Sequence, residues 1–369
     1  MIKGLYIHIP FCDKICKYCD FAKLVATRKL KGEYVKNLIK ELEHYKDKLS
    51  NVETIYIGGG TPTSLDLDLL EVILSKIVDL VNMENIREYT IEANPNDINY
   101  ELVNTIKKFQ VSRISLGVQT TSKRLLELVG RTHNKNDVLK ALQILEGNSF
   151  ANINLDFIYG LPTQTMDELT ADLDFISSIM PKHISYYSLI IEPKTELAYM
   201  IDHQNLIPLD EDIVADYADL VRNKLEYMGY QHYEVSNYAV AGFESRHNLL
   251  YWNLEEYIGV GMSAASQYDN TRYINPYRIS QYIKNVECED YQLIEEDFTP
   301  QMEYILLGLR KTEGINLIEY SKRFGDGVFN LYPKLKKHLA SGLLEIKGDY
   351  LLFSKRGMDL SNQVYLDII

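Results

Sequence analysis

The sequence predicts an α/β protein built on parallel strands, followed by a smaller and mostly helical module. Six short runs rich in β-branched and aromatic residues alternate with segments whose apolar residues recur every three or four positions. Strands that alternate with helices form parallel βαβ units, which make either a barrel or a doubly wound sheet. With 369 residues, 46% of them hydrophobic, the chain is long enough for a large domain and a companion.

The strand and helix candidates follow one another in order along the first two thirds of the chain. The predicted strands begin at Leu5, Thr54, Tyr89, Ser112, Ile153 and Ile184. Predicted helices cover 33–49, 67–81, 100–109, 135–147 and 166–180, and another at 213–229 leads into an aromatic-rich region from 230 to 268.

An acidic stretch at 287–300 that ends in proline marks a predicted domain boundary. We assign residues 1–290 to a first domain with an aromatic-rich extension, and residues 291–369 to a C-terminal module. Near the end of the chain, two strands around 347–349 stand between helices, an order typical of winged-helix-like modules. The acidic balance and the lack of a basic recognition face favour packing or docking over DNA binding.

The charge and the cysteine usage limit the compartment and the partners. A net charge of -13 argues against nucleic acid and anionic membrane surfaces as partners. The first residues do not read as a signal peptide, and no apolar run is long enough to span a membrane. Four cysteines, three of them crowded together, do not form a disulfide framework in a chain of this size, so we expect a cytoplasmic protein.

The three crowded cysteines form the most informative motif. Cys12, Cys16 and Cys19 lie in HIPFCDKICKYCDF, directly after the first predicted strand, with the spacing C-x3-C-x2-C. Three thiolates can hold three irons of a 4Fe-4S cluster and leave the fourth iron open to a substrate. The alternative is a structural zinc site completed by His8 or Cys288, for which this spacing is less typical.

This motif resembles the radical S-adenosylmethionine (SAM) superfamily, and within it the oxygen-independent coproporphyrinogen III oxidase family. The resemblance implies an open six-stranded (β/α)6 partial barrel, with SAM bound to the open iron of the cluster. The Gly-rich turn IGGGTPT after the second strand matches the family's contact with the methionyl end of SAM. For each single polar match, the alternative is a satisfied polar residue at a strand end. The implied SAM-binding residues are Tyr6, Tyr18, Gly59, Gly60, Thr61, Glu92, Gln119, Arg131, Asp156 and Ile190.

Two departures separate the chain from the oxidases of that family and resemble its haem-chaperone branch. Phe21 stands where the oxidases have a further cysteine, and the oxidases' N-terminal extension is not present before Cys12. The branch's haem-binding pattern matches SRHNLLYW, which implies His247 as an axial ligand. The alternative for His247 is a hydrogen-bonded core histidine. Ala265 replaces a histidine that relatives carry; if that histidine helps to hold haem in them, this chain has a weaker affinity for haem or a different ligand set.

The resemblance therefore implies a haem chaperone that binds haem, a 4Fe-4S cluster and SAM. Its partners would be haem-accepting proteins, membrane respiratory proteins among them, and a homodimer is compatible with the branch. The competing function is an enzyme that oxidatively decarboxylates the propionates of coproporphyrinogen III. A zinc-stabilised interaction protein is a third class, which leaves the Gly-rich turn and the polar strand ends unexplained.

Overall fold

The core of the protein is a parallel sheet whose first six strands lie side by side in sequence order. The computed structural model describes residues 1–203, 206–291 and 298–369, together with the backbone of 294–296. Each strand from β1 to β6 pairs in parallel with the next. The six strand predictions are confirmed to within one residue at their starts. Strands β1 to β6 span Gly4–Ile9, Thr54–Gly59, Glu88–Ala93, Arg113–Gln119, Ile153–Tyr159 and His183–Ser188.

Helices connect these strands, as the apolar periodicity predicts. The helix that follows β5 begins with a reciprocal cap, in which Thr165 and Glu168 bond each other's backbone. Two short helices, at Lys123–Leu128 and Glu196–His203, are missing from the prediction because six to eight residues hardly reveal a helical period. Helices α1 to α8 span Arg28–His44, Leu67–Leu80, Tyr100–Lys108, Lys123–Leu128, Lys135–Gly147, Met166–Ile179, Glu196–His203 and Glu211–Tyr227.

The aromatic-rich extension continues the sheet at both of its edges. On one side, β7 (Gln231–Glu234) and β8 (Asn237–Ala239) form a hairpin beside β6. On the other side, β9 (Tyr257–Val260) pairs in parallel with β1. The sheet therefore does not close on itself, and the open partial barrel is confirmed. The remaining elements of the extension are α9 at Arg246–Trp252, β10 at Ala265–Tyr268, β11 at Thr271–Ile274, α10 at Ile279–Glu287 and β12 at Ile294–Glu296.

The two faces of the parallel strands differ in polarity. Apolar residues at alternate positions, such as Ile55 and Ile57 of β2, belong to the buried core that the helices cover. The intervening positions carry polar side chains that bond one another across strands, as Ser115 and Asp156 do. Parallel barrels usually fill their interior with branched apolar residues. A polar interior instead predicts space for a polar ligand.

The C-terminal residues form a second apolar core beside helix α9. The predicted two-stranded hairpin is confirmed, with Gly348 in its turn at a φ of 59°. The domain boundary stays a prediction, since residues 292, 293 and 297 of the acidic stretch lie outside the described residues. No helix in the described ranges has the length and hydropathy needed to cross a bilayer. The elements are α11 at Pro300–Gly308, β13 at Ile315–Asn316, α12 at Leu317–Phe324, α13 at Val328–Leu331, α14 at Leu335–Ala340, β14 at Leu344–Lys347, β15 at Tyr350–Phe353, α15 at Lys355–Asp359 and α16 at Ser361–Tyr365.

Candidate functional site

The cysteine loop leaves the carboxyl end of β1 and is anchored at its base. Leu24 donates its N–H to the carbonyl of Pro10 at 2.7 Å, and Cys12 donates to the carbonyl of Leu24 at 3.1 Å. The ring of His8 also reaches the loop, with 2.8 Å between Nε2 and the carbonyl oxygen of Ala22. These contacts hold the loop at the end of the barrel where parallel α/β folds place their ligands.

Each of the three thiols lies next to a polar donor or a cation. The Thr61 hydroxyl is 3.6 Å from Sγ of Cys12, and Nη1 of Arg131 is 3.5 Å from Sγ of Cys16. Burial raises the pKa of the Cys12 thiol to about 11 and also raises the pKa of Cys19. Thiols in this setting stay protonated until a metal centre takes the place of the proton.

The arrangement of the thiols bears on the zinc alternative. In the described part of the chain, no three His, Cys, Asp or Glu side chains are grouped as ligands of one metal ion. The two ring nitrogens of His8 already contact Tyr6 and Ala22, and Cys288 is exposed at the end of α10. Neither residue is placed as a fourth zinc ligand. The ligands of a 4Fe-4S cluster bind separate irons and need not converge on one point.

The glycine turn after β2 allows the backbone to approach the cysteine loop closely. A Cβ on Gly59 would lie 2.6 Å from the His8 ring, and one on Gly60 would lie 2.7 Å from the carbonyl oxygen of Phe11. Gly59 also has a φ of 116°, which other residues rarely adopt. The Gly60 and Thr61 amides donate to Ile9 and Phe11 carbonyls at 2.8 and 2.7 Å. The turn and the loop therefore form one unit.

Glu92 lies at the carboxyl end of β3 beside this turn. Its Oε1 accepts a hydrogen bond from the Tyr56 hydroxyl at 2.7 Å, and its Oε2 accepts one from the Gly59 N–H at 3.1 Å. Burial raises the pKa of Glu92 to about 7, with Asp156 adding to the rise and the Tyr56 bond opposing it. No ion pair among the described residues includes this carboxylate. An ammonium group of a ligand would supply the missing positive charge.

Arg131 connects the cysteine loop with the ends of β3 and β4. Its Nη2 donates to Oδ1 of Asn94 and to the carbonyl of Gly117, both at 2.7 Å, while its buried Nε has no partner within residues 1–203, 206–291 and 298–369. A Cβ on Gly117 would lie 3.1 Å from Nε2 of Gln119, which places the Gln119 amide beside the Arg131 guanidinium. Gln119 itself has a φ of 67°, at a bulge that ends the pairing of β4 with β5.

The remaining predicted SAM-binding residues surround this centre at different depths. Asp156 accepts bonds from Ser115 at 3.0 Å and Asn154 at 2.8 Å, and burial raises its pKa. The Tyr6 hydroxyl lies 2.9 Å from Nδ1 of His8. Tyr18 shares a small apolar cluster with Leu189, whereas the next residue, Ile190, is 70% exposed.

His247 lies at the opposite end of the barrel. Its ring is fully buried, with Nδ1 2.8 Å from the Thr54 hydroxyl and Nε2 2.7 Å from the Tyr251 hydroxyl. Burial lowers its pKa to about 3. Thr54 is the first residue of β2, whereas Gly59 is the last. Both ring nitrogens are occupied in this conformation, so ligation of haem iron requires that one of them leave its partner, Nε2 leaving Tyr251 or Nδ1 leaving Thr54.

Several polar residues of the barrel interior are absent from the sequence-based prediction. Tyr56 and Asn94 bond Glu92 and Arg131, and His183 contacts Asn154 with 2.6 Å between Nδ1 and Oδ1. Their signal was available as polar residues at every second position of the strands, for example Asn154 and Asp156 in INLDFIY. That alternation identifies which face of each strand is polar.

The chemistry of these residues fits the groups that the family implies. Three thiols in one loop, a carboxylate beside a glycine turn and a buried guanidinium suit a cluster bound next to a ligand with an amino and a carboxylate group. Within this set, Cys12, Cys16, Thr61, Arg131 and Gln119 are connected through direct contacts or Asn94. Ile190 and His247 are not part of that connected group.

Comparison with known proteins assigns two regions of the chain to families. Residues 6–176 match the model of the Radical SAM superfamily, and residues 302–360 match the HemN C-terminal domain. The fold resembles that of coproporphyrinogen III oxidase HemN from Escherichia coli, with a TM-score of 0.85 over 100% of this chain and 90% of that chain. At 20% identity, this likeness supports the shared fold.

Closer relatives are similar along the whole chain. The heme chaperone HemW of Lactococcus lactis is 36% identical, over 98% of this chain and 95% of its own. The protein of the same name from Bacillus subtilis is 36% identical over 99% and 98%, and that of Escherichia coli is 30% identical over 96% and 94%. The chain therefore belongs to the HemW heme chaperone family within the radical SAM superfamily.

Proposed function

We propose that this protein is a haem chaperone that binds haem, a 4Fe-4S cluster and SAM, and passes the haem to acceptor proteins. The observation that carries the proposal is the similarity, over nearly the full length of both chains, to proteins named heme chaperone HemW. Phe21 supports it from within the sequence, because the oxidases resembled by the motif have a cysteine there. Phe21 is 67% exposed on the cysteine loop, so its side chain fills no core position.

In this proposal, Cys12, Cys16 and Cys19 hold the cluster and Arg131 places a positive charge beside Cys16. Glu92 holds the amino group of SAM, and the glycine turn leaves room for its methionyl end. A cluster with bound SAM supplies one-electron chemistry when it is reduced. The polar interior between these groups supports ligand binding.

His247 is the proposed haem ligand, with Tyr251 and Trp252 beside the macrocycle. A neutral imidazole is needed for ligation, and the low pKa of His247 keeps it neutral above about pH 4. The proposed acceptors are haem-free proteins, including respiratory proteins of membranes, and the proposed compartment is the cytoplasm. A homodimer remains part of the proposal.

The competing function is oxidative decarboxylation of coproporphyrinogen III. One experiment separates the two: reconstituted protein is incubated without oxygen with reductant, SAM and coproporphyrinogen III, and scored for 5'-deoxyadenosine and protoporphyrinogen. In parallel, haem-loaded protein is mixed with membrane vesicles from cells grown without haem. We expect haem to move to the vesicles and no protoporphyrinogen to form. Protoporphyrinogen formation without haem binding would establish the enzyme instead.

A further inference from the structure

Tyr56 lies between the two proposed ligand sites. Its hydroxyl donates to Oε1 of Glu92 at 2.7 Å, and its ring stacks on the His247 imidazole with centroids 5.3 Å apart. Thr54, which contacts Nδ1 of the same imidazole, precedes Tyr56 by two positions in β2, so both side chains face the barrel interior. One side chain thus touches both the carboxylate proposed to bind SAM and the histidine proposed to bind haem.

Helix α9, which carries His247, rests on the strands that form the SAM pocket. The amides of Arg246 and His247 donate to the carboxylate of Glu88 at 2.8 and 3.2 Å. Glu88 and Glu92 lie four positions apart in β3 and therefore face the same side of the sheet. A movement of α9 breaks contacts with β2 and β3 together.

We propose that Tyr56 is a positioning residue that couples the two sites, so that SAM at Glu92 holds helix α9 closed and lowers the affinity of the protein for haem. The inference rests on the proposed function, since it takes Glu92 and His247 as the SAM-binding and haem-binding residues. It adds a direction: SAM favours release of haem, and haem favours release of SAM. Binding free energies make this effect reciprocal.

The physical argument starts from the burial of His247. Haem cannot reach Nε2 while the ring is enclosed and bonded to Tyr251, so haem binding moves the ring away from Tyr56. An ammonium group beside Glu92 favours the ionised carboxylate, which accepts a stronger hydrogen bond from the Tyr56 hydroxyl. A firmly held Tyr56 keeps its ring against the imidazole. SAM and haem therefore favour different positions of the same side chains.

The first test follows helix α9 without haem. Hydrogen exchange of the Arg246 and His247 amides is measured on cluster-reconstituted protein with and without SAM, and SAM binding is measured on the same samples by calorimetry. We expect SAM to slow exchange of these amides by about five-fold or more in the wild type. Tyr56→Phe keeps the ring but removes the hydroxyl, so this slowing should disappear.

Tyr89→Phe is the matched control. Tyr89 is a buried tyrosine of β3 whose hydroxyl finds no hydrogen-bond partner among the described residues, and it alternates with Glu88 and Thr90 on the opposite face of the strand. Its response to SAM should equal that of the wild type. If Tyr56→Phe fails to fold, His247→Ala removes the imidazole on which the Tyr56 ring stacks, and the slowing of the Arg246 amide should also be lost.

The second test measures affinities. The dissociation constant for haem should rise about five-fold or more when SAM is saturating, and the constant for SAM should rise by the same factor when haem is saturating. Both factors should fall towards one in Tyr56→Phe. Equal exchange and equal affinities with and without the second ligand, in a wild type that binds SAM, would overturn the coupling alone. A wild type that binds no SAM would overturn the proposed function together with the coupling.

Discussion

The imidazole of His247 stacks on the phenol ring of Tyr56, with 5.3 Å between the ring centroids and 30° between the ring planes. The two residues come from parts of the chain almost two hundred positions apart, one on α9 and the other on β2. Tyr56 reaches Glu92 with its hydroxyl, so this contact joins the two ends of the barrel.

Replacing any one of Cys12, Cys16 or Cys19 with alanine should prevent assembly of the 4Fe-4S cluster. A cluster with one open iron needs a thiolate on each of its other three irons. Iron analysis after anaerobic reconstitution should fall from about four irons per chain to near zero. Cys288→Ala is the control, since that thiol is exposed at the end of α10. Stoichiometric zinc without iron uptake would contradict the prediction.

SAM should bind more tightly as the pH rises towards 8. Burial raises the pKa of Glu92 to about 7, so at lower pH the ligand-free carboxyl carries a proton that the SAM amino group has to displace. Below pH 7, affinity should fall by up to about ten-fold per pH unit, and calorimetry in two buffers should detect the released proton.

Glu92→Gln should bind SAM weakly and lose this pH dependence. Asp172→Asn is the control, because burial also raises the pKa of Asp172, to about 6, but its carboxylate bonds Thr121 outside the pocket. Its profile should match that of the wild type. If the pH profile changes in Asp172→Asn but not in Glu92→Gln, then Asp172 and not Glu92 causes the pH dependence, and the prediction is wrong.

Gly59→Ala should destabilise the protein by about 2 to 4 kcal/mol, because the added Cβ meets the His8 ring and the backbone conformation is unfavourable for alanine. Gly32→Ala provides the opposite control. Gly32 lies inside α1, and apart from the backbone of its own helix no atom of the described residues comes within 4 Å of an added Cβ, so this change should stabilise the protein by about 0.5 to 1 kcal/mol. Urea unfolding of both variants checks the signs.

Trp252 should report the contact between α9 and the C-terminal module. It is the only tryptophan of the chain, its buried Nε1 has no hydrogen-bond partner in the part of the chain that the structure describes, and the Arg310 guanidinium lies 4.4 Å from its ring centroid. Arg310→Ala should shift the Trp252 emission to longer wavelength and destabilise by about 1 kcal/mol. Lys334→Ala, an exposed residue of the same module, should leave the emission unchanged.

Tyr251→Phe should increase haem affinity, because it frees Nε2 of His247 while leaving an aromatic ring in place.

His247→Ala should weaken haem binding and change the Soret band. In the wild type, the band should appear whether or not the cluster is present. Ala265→His should strengthen binding if that position faces haem. Titrations followed by absorbance provide the measurement, and an identical Soret band in His247→Ala would exclude His247 as the ligand.

The sequence predicts the six strands well because each alternates apolar and polar residues over a short, regular length. The same alternation also indicates the polar interior, since Thr54 and Tyr56 alternate with Ile55 and Ile57. The cysteine loop and the glycine turn are local motifs and carry their own signal. The site residues of these motifs could therefore be proposed from the sequence.

The environment of His247 could not be predicted in the same way. Its ring bonds Thr54, 193 positions away, and its amide bonds Glu88, 159 positions away. Hydrogen bonds between residues so far apart in the sequence leave no periodic pattern in it. The parallel pairing of β9 with β1 is also absent from the prediction. β9 is a strand of only four residues, and no βαβ unit connects it to β1.

Strand β1 pairs with one strand from an early part and one strand from a late part of the first domain's sequence. Gly4 pairs with Thr54 on one side and with Tyr257 on the other. During synthesis, β1 therefore lacks one of its two partners until the ribosome has passed residue 260, and non-local strand pairing is slow to form. The cysteine loop begins where β1 ends. It is therefore among the first segments made, but the strand that supports it is among the last to gain both of its neighbours. Insertion of a cluster is accordingly expected only after residue 260 has left the ribosome, which pulse-labelling of iron on nascent chains stalled before and after that residue can measure.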